Sequence, residues 1–165
     1  MRTLILVSVI GTGISTVTAQ LLTIREFLSQ FQGNEITISL VLFSWLLLTG
    51  IGSLAARWVG RRGPGFYGGM SVILAIWPLF QLLIIRWGRE AAFLHGSSPG
   101  FYGIFGFVLA TTAPYCLMAG FILPCALEVL RRQGGSLTSG GLYITDSIGD
   151  IAGGGLFGFF LVYWL

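Results

Sequence analysis

Apolar residues fill long, nearly unbroken stretches of this chain, and polar residues gather in short clusters between them. Five stretches reach the roughly 20 residues that a helix rising 1.5 Å per residue needs to cross a hydrocarbon core of about 30 Å. They cover approximately residues 4–24, 36–58, 66–85, 102–130 and 142–164. The breaks read "QFQGNE", "RWVGRRGPG", "HGSSPG" and "RRQGGSLTSGG", all rich in glycine, charge or small polar residues. This pattern predicts one all-α domain over residues 1–165, a polytopic transmembrane bundle of about five spans. The fourth stretch is overlong and contains Pro114 and Pro124. Each proline removes a backbone donor, which predicts a kinked or partly re-entrant fourth span.

Composition removes the soluble alternative. Only 9% of the residues are charged and 55% are hydrophobic, with a mean hydropathy of +0.87, whereas soluble domains are about 25% charged. The lipid bilayer is therefore the first expected partner, and no cofactor is expected.

All nine basic residues are arginines. In the five-span arrangement Arg2, Arg57, Arg61, Arg62, Arg131 and Arg132 fall on one side, and Arg25, Arg86 and Arg89 on the other. The positive-inside rule places the N-terminus and the loops at 60–65 and 131–141 in the cytoplasm and the C-terminus outside, in a bacterial-type inner membrane. The net charge of +3 follows from this asymmetry. No basic stripe interleaved with aromatics marks a nucleic-acid partner.

Several features carry a bland explanation. Arg2, the apolar run after it and "VTA" at 17–19 imitate a signal peptide, but the run continues past that point. Cys116 and Cys125 lie ~13 Å apart along one helix, beyond disulfide reach, and read as packing residues. His95 has no second ligand nearby, so no metal site is expected. "GTGIS" at 11–15 and "GDIAGGG" at 149–155 resemble phosphate loops, yet both sit inside apolar spans. Close helix approach is the better account of Gly149, Gly153, Gly154, Gly155 and Gly158.

The fifth stretch carries two aspartates. Asp146 and Asp150 are four residues apart and share a helix face with Tyr143, Gly153 and Gly154. Asp150 lies ~14 Å in from Gly141, near the midplane. Two carboxylates at this spacing repel and are costly in low dielectric. Three readings stay open: hydrogen bonding to a neighbouring helix, a polar cavity for a cation, amine or proton, and a docking surface for a further helix or subunit. Glu128, near the end of the fourth span, is a candidate to join them.

A second polar cluster, "QLLTIREFLSQFQGNEI" at 20–36, puts Gln20, Arg25 and Glu26 at the far end of the first span and Asn34 and Glu35 at the start of the second. Arg25 is expected to pair with Glu26 or Glu35, as interfacial charges of modest energetic worth.

Three stretches together resemble a known family. "GISTVTAQLLTIREFLSQFQGNEITISLVLFSWLLLTGIGSLAAR" carries Gln20, Arg25, Phe31-x-Gly33-Asn34-Glu35, Trp45 and Gly50-x-Gly52-Ser53-Leu54. "APYCLMAGFILPCALEVL" carries Pro114, Met118, Gly120 and Pro124, with Ala119 inserted before the glycine. "GGLYITDSIGDIAGGGLFG" carries Tyr143, Asp146, Gly149, Gly153 and Gly154. This ordered set resembles the membrane domain of spermidine-synthase-like proteins, described as fused to a major-facilitator-like domain. "GSLAARWVGRR" at 52–62 also resembles the basic loop between the second and third helices of major-facilitator transporters, with Ala56 in place of an acid and Gly60 displaced by one.

The resemblance implies part of a major-facilitator-like half and a soluble aminopropyltransferase-like partner. An aminopropyltransferase needs a soluble domain with a Gly-rich nucleoside loop, which these residues lack. The chain is therefore expected to be a fragment, or a stand-alone membrane domain whose catalytic partner is separate. It is not expected to be an enzyme itself. Its expected role is to anchor that partner and to bind or pass a polyamine-like cation near Asp146 and Asp150. Alternatives are a structural membrane subunit of a larger assembly, such as an electron-transfer complex, and half of a proton-coupled transporter.

Overall fold

The structure, a computed structural model, describes residues 2–31, 35–58, 63–93, 100–132 and 139–164. The expectations for Gly33, Asn34, Gly60, Arg61, Arg62 and His95 lie outside the described residues. Five long helices account for nearly all of the rest: α1 (Arg2–Gln30), α2 (Glu35–Ala55), α3 (Pro64–Ala92), α4 (Phe101–Arg132) and α5 (Ser139–Leu156). A π-helical turn, Phe157–Leu161, carries α5 into a short last turn, α6 (Val162–Trp164). No strand occurs among the described residues. The protein is an all-α helical bundle.

Helices α1 to α4 are each long and apolar enough to cross a membrane. Helix is the expected state for such runs, because a backbone in hydrocarbon must satisfy its own hydrogen bonds. Embedded hydroxyls follow the same rule. Thr12, Thr23, Thr49 and Thr112 donate to the carbonyls of Val9, Ala19, Trp45 and Val108 on their own helices, which lets polar side chains sit in apolar surroundings.

Two expectations are corrected. α4 is one continuous 32-residue helix through Pro114 and Pro124, not a re-entrant segment. α2 and α3 both pack along it. The first span also runs to Gln30 and the third to Ala92, so the charges at Arg25, Glu26, Arg86 and Arg89 are helical residues and not loop residues.

Contacts fix the relative directions. α1 runs parallel to α5, with Gly13 against Gly149 and Arg25 reaching the Val162 carbonyl. It also runs parallel to α3, through Ser8 with Tyr67, Thr23 with Gln81 and Glu26 with Arg86. α2 runs parallel to α4, from Phe43 with Phe105 to Gly52 with Leu117. α3 and α4 are antiparallel, with Phe66 on Phe121 and Gly88 against Phe107. The helices thus alternate in direction along the chain. Arg57, Arg131 and Arg132 share one end of the bundle; Arg25, Arg86 and Arg89 share the other.

Two cores hold the bundle. One surrounds Tyr115, Leu74 and Leu142. The other packs Phe27, Phe31, Val41, Ile85 and Val108 with Phe93 and Phe107 at the Arg25 end, joining α1, α2, α3 and α4. Exposed large side chains such as Leu79, Phe80, Leu83 and Ile151 cover the outer faces, as a lipid-facing surface requires.

Candidate functional site

Two glycine crossings build the site. Helical Cα–Cβ bonds tilt toward the N-terminus, so where parallel helices touch at glycines, each glycine faces a carbonyl one turn earlier on its partner. In α1 and α5, a Cβ on Gly13 would lie 2.7 Å from the Asp146 carbonyl oxygen, and a Cβ on Gly149 would press into that of Ile10. One turn on, a Cβ on Gly153 would lie 2.7 Å from the Ile14 carbonyl oxygen. α2 and α4 repeat the arrangement: Gly52 faces the Leu117 carbonyl and Gly120 that of Thr49. Only glycine lets the backbones approach this closely. Close backbone approach thus occurs at Gly149 and Gly153. Gly154 makes only ordinary contact with Val17, at 3.9 Å, and Gly155 and Gly158 meet nothing within 4 Å.

Between the two tight pairs lies a cleft of about 340 Å³. Thr12, Thr16, Val17 and Gln20 line it from α1, and Trp45, Leu46, Thr49 and Ser53 from α2. Ala119, Gly120, Ile122, Leu123 and Pro124 of α4 and Tyr143, Asp146 and Asp150 of α5 complete it. The glycine crossings explain this lining. By fixing Gly149 and Gly153 against α1, they turn the adjoining faces that bear Asp146 and Asp150 toward α2 and α4. The cleft begins beside Tyr143 near the Arg57 and Arg131 end and stops at Trp45. Behind Trp45, with ring centroids 5.5 Å apart, stands the fully buried Tyr115, whose hydroxyl donates to the Ser15 carbonyl at 3.4 Å.

The polar part of the lining offers several acceptors. Asp146 and Asp150 have no hydrogen-bond or ion-pair partner among the described residues. Thr12, Thr16 and Thr49 commit their hydroxyl protons to the carbonyls of Val9, Gly13 and Trp45, so only oxygen lone pairs are left for the cleft. Two carboxylates, these oxygens and the Gln20 amide suit a guest that brings N–H donors and positive charge. Trp45 lines the cleft as well, with 6% of its surface exposed. Among the described residues no group of three or more His, Cys, Asp or Glu comes together to hold a metal ion.

The other anticipated site residues are placed differently. Glu128 is exposed and receives a hydrogen bond from Arg132 on its own helix at 3.0 Å, so it stays apart from the aspartates. Glu26 does not pair with Arg25. It is 7% exposed and accepts both Arg86 Nε at 2.7 Å and Arg86 Nη2 at 2.9 Å, with Gln30 Nε2 at 3.1 Å. Arg25 instead reaches the Val162 carbonyl at 3.5 Å, because consecutive helical residues project onto different faces. Glu35 is exposed at the start of α2, and among the described residues its backbone carbonyl accepts from the Ser39 hydroxyl at 3.2 Å. Gln20 leaves the expected interfacial cluster for the cleft. Pro124 lines the cleft, and Pro114 lies inside α4 one residue before Tyr115.

Arg86, Gln81 and the cleft positions Thr49 and Ser53 carried no signal in the sequence as site residues. Arg86 and Gln81 acquire their roles only through α1, some 60 positions away. Thr16 and Gln20, three and seven residues after Gly13, share an i, i+4 spacing and form a polar stripe beside the glycine contact of α1, and that is a signal that does point inward.

No protein-family model, no curated protein and no solved structure matches this chain.

Proposed function

We propose that this chain is an integral membrane domain of the spermidine-synthase-like kind whose cleft binds a polyamine-like cation and which anchors a soluble aminopropyltransferase-like partner. The observation that carries the cation site is the pair Asp146 and Asp150. They face a cleft of about 340 Å³ whose polar lining includes Thr12, Thr16, Gln20 and Thr49 beside the Trp45 indole, and no group among the described residues pairs with either carboxylate. Ionisable residues inside a membrane bundle mark ligand and ion pathways. A flexible oligoamine suits this lining, because ammonium groups answer the carboxylates and methylene segments answer Leu46, Ile122 and Leu123. The anchoring role rests on the ordered resemblance running from Gln20 to Gly154. With the positive-inside orientation, the cleft opens on the cytoplasmic side, next to Arg57 and Arg131.

Equilibrium binding of labelled spermidine to the protein in lipid nanodiscs tests this reading. Saturable binding is expected. Asp146→Asn and Asp150→Asn should each weaken it on the order of 10- to 100-fold, as expected for losing a charged hydrogen bond of about 1.5–3 kcal/mol. Equal affinity in the double variant would overturn the cation site.

A further inference from the structure

The turn of α3 around Pro78 carries hydrogen-bonding groups that the protein does not satisfy. Pro78 lies inside α3 and has no N–H, so the carbonyl of Leu74 loses its regular i+4 donor. Leu74 is fully buried. Gln81, 1% exposed, donates Nε2 to Thr23 Oγ1 at 3.1 Å. Thr23 has already committed its hydroxyl proton to the Ala19 carbonyl at 2.7 Å, so its oxygen can only accept. That fixes the amide orientation, with nitrogen toward Thr23 and Oε1 turned away. Gln81 Oε1 is buried without a partner. So is Trp77 Nε1, one turn earlier on the same face of α3.

Leu74, Trp77, Pro78 and Gln81 fall within one stripe of the helix. It bears one buried acceptor and one buried donor without a partner, Gln81 Oε1 and Trp77 Nε1, beside the Leu74 carbonyl, whose i+4 donor Pro78 removes. In a membrane interior each such group left alone is costly. A direct bond between the indole and the amide oxygen is not made.

We infer that this turn is a binding site for a single water molecule, which donates to the Leu74 carbonyl and to Gln81 Oε1 and accepts from Trp77 Nε1–H. Three hydrogen bonds is the usual complement of a buried water, and waters commonly re-satisfy the backbone that a proline frees in a membrane helix. The site is separate from the acidic cleft. On the same helix, five residues beyond Gln81, stands Arg86 of the Glu26–Arg86 pair, whose side chain is 61% exposed. The site also gives α3, the helix that touches both α1 and α4, a hydrated joint at mid-length.

The test is ¹⁵N-indole NMR of the protein in nanodiscs, reading water exchange at the Trp77 Nε1 proton. The five tryptophans are assigned by Trp77→Phe or, should that variant not fold, by phenylalanine substitution of Trp45, Trp58, Trp87 and Trp164 in turn. The expected result is a water cross-peak at a Trp77 resonance that a soluble gadolinium chelate does not broaden. It should weaken several-fold in Gln81→Met and in Pro78→Ala, which returns a donor to Leu74. Absence of the cross-peak in the unaltered protein overturns the site, and so does an unchanged cross-peak in both variants.

Discussion

Gly13 and Gly149 oppose each other where α1 passes α5, and each faces the partner's backbone at the carbonyl one turn earlier, that of Asp146 or Ile10. Gly52 and Gly120 repeat this between α2 and α4. A methyl group at any of the four positions meets backbone, which cannot swing aside as a side chain would. Alanine at Gly149 or Gly120 is therefore expected to destabilise the bundle by about 1–3 kcal/mol, the usual cost of overpacking. Alanine at Gly11 or Gly155, where nothing lies within 4 Å, should be neutral or slightly stabilising, since alanine is the better helix former. Thermal unfolding in detergent, followed by tryptophan fluorescence, compares the two classes. Equal melting temperatures for both would remove the glycine crossings as the organising contact.

Trp45 forms the inner limit of the cleft, and its contribution can be separated from that of the carboxylates. Trp45→Leu keeps an apolar side chain but loses the aromatic face. Spermidine affinity should fall about 2- to 30-fold, matching a cation–π contribution of about 0.5–2 kcal/mol. Gln20→Leu should lower it by a similar or smaller factor, whereas Glu128→Gln, outside the cleft, should leave it unchanged. A loss at Glu128 equal to that at Asp150 would place the cation elsewhere.

Parts of this arrangement were legible in the residue pattern. The i, i+4 spacing of Asp146 and Asp150 sets both on one face, and helix geometry alone requires it. The small residues at 149 and 153 likewise announced a close neighbour. Its identity, α1, depended on tertiary pairing between positions more than 130 apart. Gln20 was misplaced for a physical reason. Arg25 and Glu26 looked like the end of a span, yet α1 continues to Gln30, with Glu26 paired to Arg86 and Arg25 reaching the Val162 carbonyl. Gln20 therefore sits well inside the helix. Glu128 lies one turn before Arg132, and that local pairing, readable from spacing, prevailed over the longer reach to the aspartates.

The Glu26–Arg86 pair ties α1 to α3 near one end of the bundle. Arg86→Ala leaves a buried carboxylate without its bidentate partner, and removal of one member of such a pair is far costlier than loss of an exposed contact. The melting temperature should drop clearly more than in Arg25→Ala, whose single contact is 3.5 Å long and exposed. Arg86→Lys should restore only part of the loss, because an ammonium cannot reproduce the two-point fork. Should Arg86→Ala and Arg25→Ala melt alike, the pair is a surface contact without structural weight.

The acidic cleft itself is tested most directly by chemical protection. A membrane-permeant carbodiimide is reacted with the protein in nanodiscs, with and without spermidine, and the adduct on each carboxylate is read by peptide mass spectrometry. Labelling on the peptide that carries Asp146 and Asp150 should slow several-fold with saturating spermidine, while labelling at Glu128 stays constant. Labelling of Asp146 and Asp150 at the same rate with and without spermidine would contradict a cation site between the two glycine-locked helix pairs.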